Sequence, residues 1–438
     1  MLANERSPSA GPPGKATAAF AIAVTLYGLL LAGAASAQTR NVGPGVPDRP
    51  ATAWPRPGGE TFVFGGLVQG KQQVDVIGRR EDRARYGVGG TENLLATWLL
   101  MPYGFALRGV ARFESAPRFT PDPPLRDHAL WLDELYASWA GGPLDLYGGK
   151  IHPRFGFAWD RGPGLYGTDF GREYELTEKI GFGARLYLSD FAGLAERIGS
   201  HTLQFEAFHA DRSVLSGSLF ARRYFEGEAA DERRADPSLV GRVPERIPRL
   251  FWRNSRGLGA PDNASGLAGR VLSLGGFGIP TPLGPAGYTL AWSEREPGED
   301  ATTIGRGANE QGYAAGAFAT VALPRGLELA PLAEWVRLDE AGGFRGRTAE
   351  WLTAGAALRG GPWTFAYAWM GNREADAPRG ERGVRSQHTA SATYDLAALT
   401  EAPVLRGLSL TLAWRQLRQK IDGRSNDYGF AVTWEHRF

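Results

Sequence analysis

The side chains best suited to chemistry in this sequence are arginines and carboxylates, and many of them fall in a glycine-rich stretch between residues 152 and 173. The stretch opens with His152-Pro153-Arg154-Phe155-Gly156, continues through Trp159-Asp160-Arg161-Gly162, and closes with Asp169-Phe170-Gly171-Arg172-Glu173. Fixed charges of both signs around a narrow aqueous passage sort solutes by charge and orient dipolar ones. The stretch is therefore a candidate selectivity element, provided that the fold places it in such a passage.

Motifs for catalysis or metal binding are weak by comparison. The residues Gly65 to Lys71 resemble a phosphate-binding loop, but Gln72 stands where a metal-binding Ser or Thr is needed. The six histidines form no i,i+4 metal pair, and no G-x-S-x-G elbow occurs. We expect no enzyme activity, no catalytic residues, no cofactor and no metal site. A barrel lipase, protease or adhesin stays an alternative, because a rim enzyme needs only a few scattered residues.

The composition excludes further classes. The chain has 438 residues, with 49 Lys and Arg against 47 Asp and Glu, and it has no cysteine. A charge this close to balance gives no broad cationic field for nucleic acid, so we expect no nucleic-acid partner. The lack of cysteine excludes disulfides, thiolate metal sites and cysteine nucleophiles.

The amino-terminal residues have the pattern of a targeting segment. Arg6 and Lys15 precede an uncharged apolar run over 16–31, and Ala35-Ser36-Ala37 follows. This order is typical of a secretory signal peptide, and the run is short for a bilayer core of about 30 Å. We predict a signal peptide over 1–37, cleaved after Ala37, and a proline-rich periplasmic leader over 38–59.

The rest of the chain repeats with a period of two. The last strand places Tyr428, Phe430, Val432, Trp434, His436 and Phe438 on one face and small or charged residues on the other. Similar alternation recurs over 180–188, 313–323, 363–369 and 408–414. Apolar side chains at every second position suit a strand that faces lipid on one side and water on the other. A soluble barrel also alternates, but lysine is scarce here, and aromatic residues gather at strand ends as in membrane-interface girdles.

We therefore predict an all-β fold, a transmembrane antiparallel β-barrel of about 16 strands over 60–438. The second strand is predicted over 92–100 and the sixth over 173–188. Short Gly/Pro turns alternate with long connections, which places the short turns in the periplasm and the long connections outside. The long external loop 212–264 is predicted as a solvated cap, with an inward-folding lid as the alternative.

This combination resembles the Gram-negative general porins: a signal peptide, sixteen strands, a glycine-rich third external loop with both charges, and a last strand that ends in phenylalanine. Residues 149–156 also resemble the porin O/P group, more weakly. The resemblance covers essentially the whole mature chain. The lysine-rich ladder of anion-selective members is missing from the sequence.

The resemblance implies an outer-membrane location, surrounding lipids, a homotrimer, and an inward third loop over 153–172 that narrows the channel. It also implies that Tyr428, Phe430, Trp434 and Phe438 are read by the outer-membrane assembly machinery. We expect passive diffusion of small hydrophilic solutes and ions, with a substrate-specific channel for phosphate, sugar or a chelated metal as the alternative. Strand parity and the inward loop predict the pore-lining residues as Arg108, Arg112, Glu114, Glu134, Lys150, Arg154, Asp160, Arg161, Asp169, Arg172, Glu175, Lys179 and Arg185.

Overall fold

The structure, a computed structural model, describes most of the chain beyond residue 61. The described residues are 62–78, 85–115, 128–167, 171, 173–191, 193–213, 215, 261–262, 266–298, 305–376, 381–400, 402, 405–419 and 423–438. The predicted signal peptide 1–37, the leader 38–59 and most of the loop 212–264 lie outside these residues.

Seventeen strand segments form one antiparallel sheet. They are β1 (Val63–Gly78), β2 (Arg85–Leu100), β3 (Phe105–Ser115), β4 (His128–Gly141), β5 (Leu144–Ile151), β6 (Lys179–Tyr187), β7 (Ser200–Ala210), β8 (Gly269–Ile279), β9 (Ala286–Arg295), β10 (Glu310–Ala319), β11 (Val321–Leu323), β12 (Leu327–Asp339), β13 (Arg347–Gly360), β14 (Trp363–Asp376), β15 (Glu381–Asp395), β16 (Leu408–Gln419) and β17 (Gly423–Arg437).

The sheet closes into a barrel because the first strand pairs with the last. Gly70 on β1 is the partner of Trp434 on β17, and Gly66 exchanges two backbone hydrogen bonds with Phe438. The segments β10 and β11 both pair with β12, so together they form one strand of the wall. The barrel is therefore a closed 16-strand antiparallel barrel, as the alternation predicts.

Side chains alternate between the outside and the inside of the wall, as the pleat of a strand requires. On β3, Phe105 and Leu107 are exposed, while Ala106 and Arg108 are buried. Large exposed apolar residues recur at outward positions around the barrel, among them Phe182, Phe205, Leu272, Leu352, Phe365, Leu412 and Phe430. This apolar belt suits contact with lipid. Among the described residues, no helix is long and apolar enough to cross a bilayer.

Two strand boundaries differ most from the prediction. The second strand begins at Arg85 and not at 92, so the connection before it is shorter. The sixth strand begins at Lys179 and not at 173, because the residues before it lie inside the barrel. Tyr174 and Leu176 belong to a buried apolar cluster there, and alternation alone does not distinguish such a segment from a strand.

The chain between Ile151 and Lys179, which we call the crossing segment, packs inside the barrel. Its Phe155, Tyr174 and Leu176 join buried side chains from the inner faces of β7, β8, β10, β12, β13 and β14. The interior on that side is therefore an apolar core shared by the wall and the crossing segment. The opposite side of the interior, against β1–β5, holds the charged cavity described below.

Candidate functional site: a charged cavity beside the crossing segment

A buried carboxylate on β12 holds the crossing segment at three points. Glu334 Oε2 accepts a hydrogen bond from the Phe157 backbone N–H at 2.5 Å, and Oε1 accepts one from Ala158 N–H at 3.1 Å. Oε1 also accepts a hydrogen bond from the Tyr174 hydroxyl at 2.6 Å. Burial, followed by the charge of Glu334, raises the pKa of Tyr174, so its hydroxyl stays a donor. One side chain thus joins the outgoing and returning parts of the crossing segment.

Further contacts fasten the crossing segment to distant strands. The Tyr166 hydroxyl donates to Asp75 Oδ1 on β1 at 2.8 Å. Both terminal nitrogens of Arg385 on β15 donate to the Glu173 carboxylate at 2.6 Å. Paired contacts between guanidinium and carboxylate are directional as well as strong. The crossing segment is therefore attached to both halves of the wall.

Glycines in the wall let the crossing segment approach closely. A Cβ atom placed on Gly316 would collide with the ring of Phe157, and one placed on Gly355 would lie 3.0 Å from Pro163. These strand positions accept an aromatic ring or a proline only because they have no side chain.

A cavity of about 290 Å³ lies between the crossing segment and the walls formed by β1–β7 and β17. Its lining includes six arginines and five carboxylates: Arg108, Arg112, Arg154, Arg161, Arg185, Arg437, Asp133, Glu134, Asp145, Asp160 and Glu206. Both charge signs therefore line the same space.

Four inner side chains form a ladder across β3, β4, β5 and β6. The Arg108 guanidinium lies 5.9 Å from the Tyr136 ring, and the Tyr136 and Tyr147 rings are 5.9 Å apart. The Arg185 guanidinium lies 5.6 Å from the Tyr147 ring. Cation–π contacts of this kind keep guanidinium groups charged and oriented beside a cavity. We call these four side chains the arginine–tyrosine ladder.

Carboxylates lie next to this ladder. Tyr147 donates to Glu206 at 2.7 Å, and Glu206 also accepts the Arg154 backbone N–H at 2.7 Å. Arg112 bridges Glu92 at 2.9 Å and Asp133 at 2.8 Å. Adjacent basic and acidic groups at one height produce a field across the cavity, because the low-dielectric wall screens them weakly.

The arginines of the crossing segment differ in their surroundings. The Arg161 guanidinium lies over the Phe318 ring at 4.8 Å and the Phe157 ring at 5.3 Å. Burial, and then the nearby Arg185, lower the pKa of Arg154, while Glu206 opposes that shift. An arginine keeps its charge through such shifts, so both residues remain cationic at the cavity.

Seven of the thirteen residues predicted to line the pore border this cavity: Arg108, Arg112, Glu134, Arg154, Asp160, Arg161 and Arg185. Asp169, Arg172 and the side chain of Glu114 lie outside the described residues. Lys150, Glu175 and Lys179 are not part of its lining. Lys150 instead forms ion pairs with Glu178 and Asp211, each at 3.0 Å, and Lys179 pairs with Asp262 at 3.0 Å.

Sequence reasoning overlooked several lining residues, notably Tyr136, Asp145, Tyr147, Glu206 and Arg437. Strand parity carries the signal for them. Tyr136 is the cross-strand partner of Arg108, and Asp145 that of Arg185, so each lies on the same face as its partner. Extending the parity rule from charged to aromatic residues would have found the ladder.

Within the described ranges, no group of three or more His, Asp or Glu residues is placed to hold a metal ion. No protein-family model and no curated protein sequence matches this chain. Solved structures do match.

One of these is OprB of Pseudomonas putida, with a TM-score of 0.52 and 12% identity over 86% of this chain and 94% of that one. Another is the outer membrane channel DcaP of Acinetobacter baumannii, with a TM-score of 0.50 and 11% identity over 86% of this chain and 97% of that one. Together with the closed sheet and its apolar belt, these matches give the chain the fold of the Gram-negative outer-membrane porins and channels.

Proposed function

We propose that this protein is an outer-membrane porin, a water-filled channel through which small hydrophilic solutes and ions diffuse passively. The observation that carries the proposal is the division of the interior: one side is filled by the crossing segment, and the other is a cavity lined by charges of both signs. An enzyme would need a reactive constellation, whereas a pore needs only an open, polar and shaped passage. The cavity residues act as the selectivity element.

Three further parts of the proposal concern the whole protein. Residues 1–37 are a signal peptide, the barrel assembles as a homotrimer, and Tyr428, Phe430, Trp434 and Phe438 are recognised during assembly. Tyr428, Phe430 and Phe438 are exposed on the outer face of the wall, which supports a role in recognition. The trimer is tested by the native mass of the purified protein.

Planar-bilayer conductance tests the channel itself. We expect ohmic single-channel currents, and the variant Arg154→Glu/Arg161→Glu should move the reversal potential toward cation selectivity, because two cavity cations become anions. Arg325→Glu/Arg345→Glu is the matched control, since it changes the net charge equally at two exposed turn positions outside the cavity lining. Equal shifts in both variants would contradict the assignment of the cavity as the selectivity element.

Because Arg154 and Arg161 are packed, a milder probe is also needed. The chain has no cysteine, so Ser138→Cys adds a single thiol to the cavity lining. A sulfonate-bearing thiol reagent should then reduce the conductance of Ser138→Cys, while Ala317→Cys, which is exposed on the outer face, should not respond. Absence of any conductance would reject the channel, and saturating block by a solute would favour the substrate-specific alternative.

A further inference from the structure

Three arginines face outward near the barrel end that carries the long connections. They are Arg373 on β14, Arg418 on β16 and Arg424 on β17, and all three are exposed. Their sequence neighbours point into the barrel. Asn372 is buried beside Arg385, which reaches the crossing segment, and Leu417 packs against the interior apolar cluster. Alternate positions therefore point away from the lumen. We call these three residues the outer arginine patch.

The strand register brings the patch together. Arg418 and Arg424 are direct cross-strand partners. Ser386 on β15 is the partner of both Arg418 and Gly371, which places Arg373 two residues beyond that row on β14. Strands lie about 4.8 Å apart, so Arg418 and Arg424 are neighbours and Arg373 lies two strand spacings, or about 10 Å, from Arg418. Extended arginine side chains can still reach a phosphate group between them.

The patch lies just beyond an aromatic pair on the same outer surface. Trp414 and Tyr428 are cross-strand partners, four residues before Arg418 and after Arg424 along their strands. At about 3.3 Å per residue and a strand tilt of about 40°, the arginines are roughly 10 Å further out. Aromatic rings of barrels lie at the membrane–water interface, and long arginine side chains bend back toward it, so the guanidinium groups reach the depth of lipid headgroups.

Other outward arginines at this end already have carboxylate partners. Arg270 lies 3.0 Å from Glu296, and Arg337 lies 2.8 Å from Asp339. Among the residues that the structure describes, no carboxylate lies within ion-pair distance of Arg373, Arg418 or Arg424; Glu350, the cross-strand partner of Arg373, instead accepts the Trp335 indole N–H at 2.6 Å. Two like charges placed directly opposite each other repel. The Arg418–Arg424 pair is therefore unfavourable until an anion comes between the two side chains.

We propose that the outer arginine patch binds the phosphate group of an anionic lipid in the membrane around the barrel. Guanidinium forks match phosphate oxygens in geometry and charge, and basic clusters at headgroup depth attract anionic lipids. The lipid would hold the outer ends of β14–β17 together from the lipid side. This inference depends on the membrane-spanning barrel and is independent of whether the cavity conducts.

Native mass spectrometry of the full-length barrel in detergent micelles tests the proposal. The probes are phosphatidylglycerol and phosphatidylcholine with the same acyl chains. We expect preferential binding of phosphatidylglycerol, reduced roughly tenfold or more in Arg373→Gln/Arg418→Gln/Arg424→Gln. The control, Arg270→Gln/Arg337→Gln, also removes outward cations and should keep the preference, because those arginines already have carboxylate partners.

Other outcomes overturn the proposal. Equal binding of the two lipids by the unmodified barrel would reject it, as would an equal loss in the triple variant and the control. If inorganic phosphate at millimolar concentration displaces phosphatidylglycerol completely, the patch is a site for soluble phosphate and the lipid assignment is wrong. Should the triple variant fail to fold, Arg424→Gln alone still breaks the cross-strand pair and must weaken phosphatidylglycerol binding.

Discussion

The crossing segment depends on Glu334, a single carboxylate that accepts two backbone N–H groups and one hydroxyl inside the barrel. A buried carboxylate is costly unless its oxygens are hydrogen-bonded, and here both oxygens are. The local sequence of β12 predicts only that this glutamate faces the inside of the barrel. Its partner residues are 160 to 177 positions away in the sequence, and only the folded chain brings them together.

Glu334→Ala should lower the free energy of unfolding in detergent micelles by about 1–3 kcal/mol, because buried donors on Phe157, Ala158 and Tyr174 lose their acceptor. A denaturant titration measures the change. Glu328→Ala on the same strand is the control, since Glu328 forms a partly exposed ion pair with Arg359 whose contribution is about 0–1 kcal/mol. A loss for Glu334→Ala no larger than that of the control would contradict the anchoring role.

At the scale of elements, the crossing segment and the wall have complementary surfaces that pack closely. Phe157 packs over Gly316 on β10, and its ring meets Phe318 edge-on with centroids 5.6 Å apart. The apolar cluster continues through Trp351, whose ring lies 5.3 Å from that of Tyr174. This packing leaves the crossing segment little freedom to move across the lumen, because close-packed interiors tolerate small changes in volume poorly.

Gly316→Leu should therefore displace Phe157 from the wall toward the cavity and lower the single-channel conductance. The overpacking should also lower the free energy of unfolding by about 1–3 kcal/mol. Ala317→Leu, one residue along and exposed on the outer face, should change neither quantity appreciably. Unchanged conductance in both variants would show that Phe157 does not border the conducting passage.

For the whole molecule, the apolar belt decides in which environment the barrel is stable. A closed barrel satisfies its backbone hydrogen bonds within the wall, which a membrane-spanning structure must do, and apolar outward side chains complete the match to lipid. The belt was predictable residue by residue, because strand alternation is a local property. The register in which the barrel closes was not, since it depends on the pairing of β1 with β17 across nearly the whole chain.

Leu412→Arg should destabilise the barrel in phospholipid vesicles by about 1–3 kcal/mol, because an arginine on the lipid face costs about 2–4 kcal/mol at the bilayer midplane and less toward the interface, and Leu412 lies two residues inside Trp414. Leu412 and Leu399 are each 64% exposed, but Leu399 lies in the connection between β15 and β16. Leu399→Arg should therefore be almost neutral. Unfolding free energies measured in vesicles compare the two, and equal costs would mean that the outward face of β16 does not contact lipid.

The sequence by itself determined the class of fold, the number of strands within the wall, and the parity that directs Arg108, Arg112 and Arg185 inward. These properties follow from a two-residue repeat and from Gly/Pro turns, which act over a few residues. It also indicated the charged stretch after Ile151 as the candidate selectivity element.

Only the tertiary structure decided which side of the interior is filled and which charges border the cavity. Lys150 and Lys179 are basic residues of the kind that line pores, and the sequence alone predicts them there. In the structure, Asp211 and Asp262 come from a distant part of the chain and bury both lysines in ion pairs. The Arg385–Glu173 contact joins residues 212 positions apart. Contacts at such separations depend on the closed register of the barrel and on the path of the crossing segment, and no local pattern encodes either.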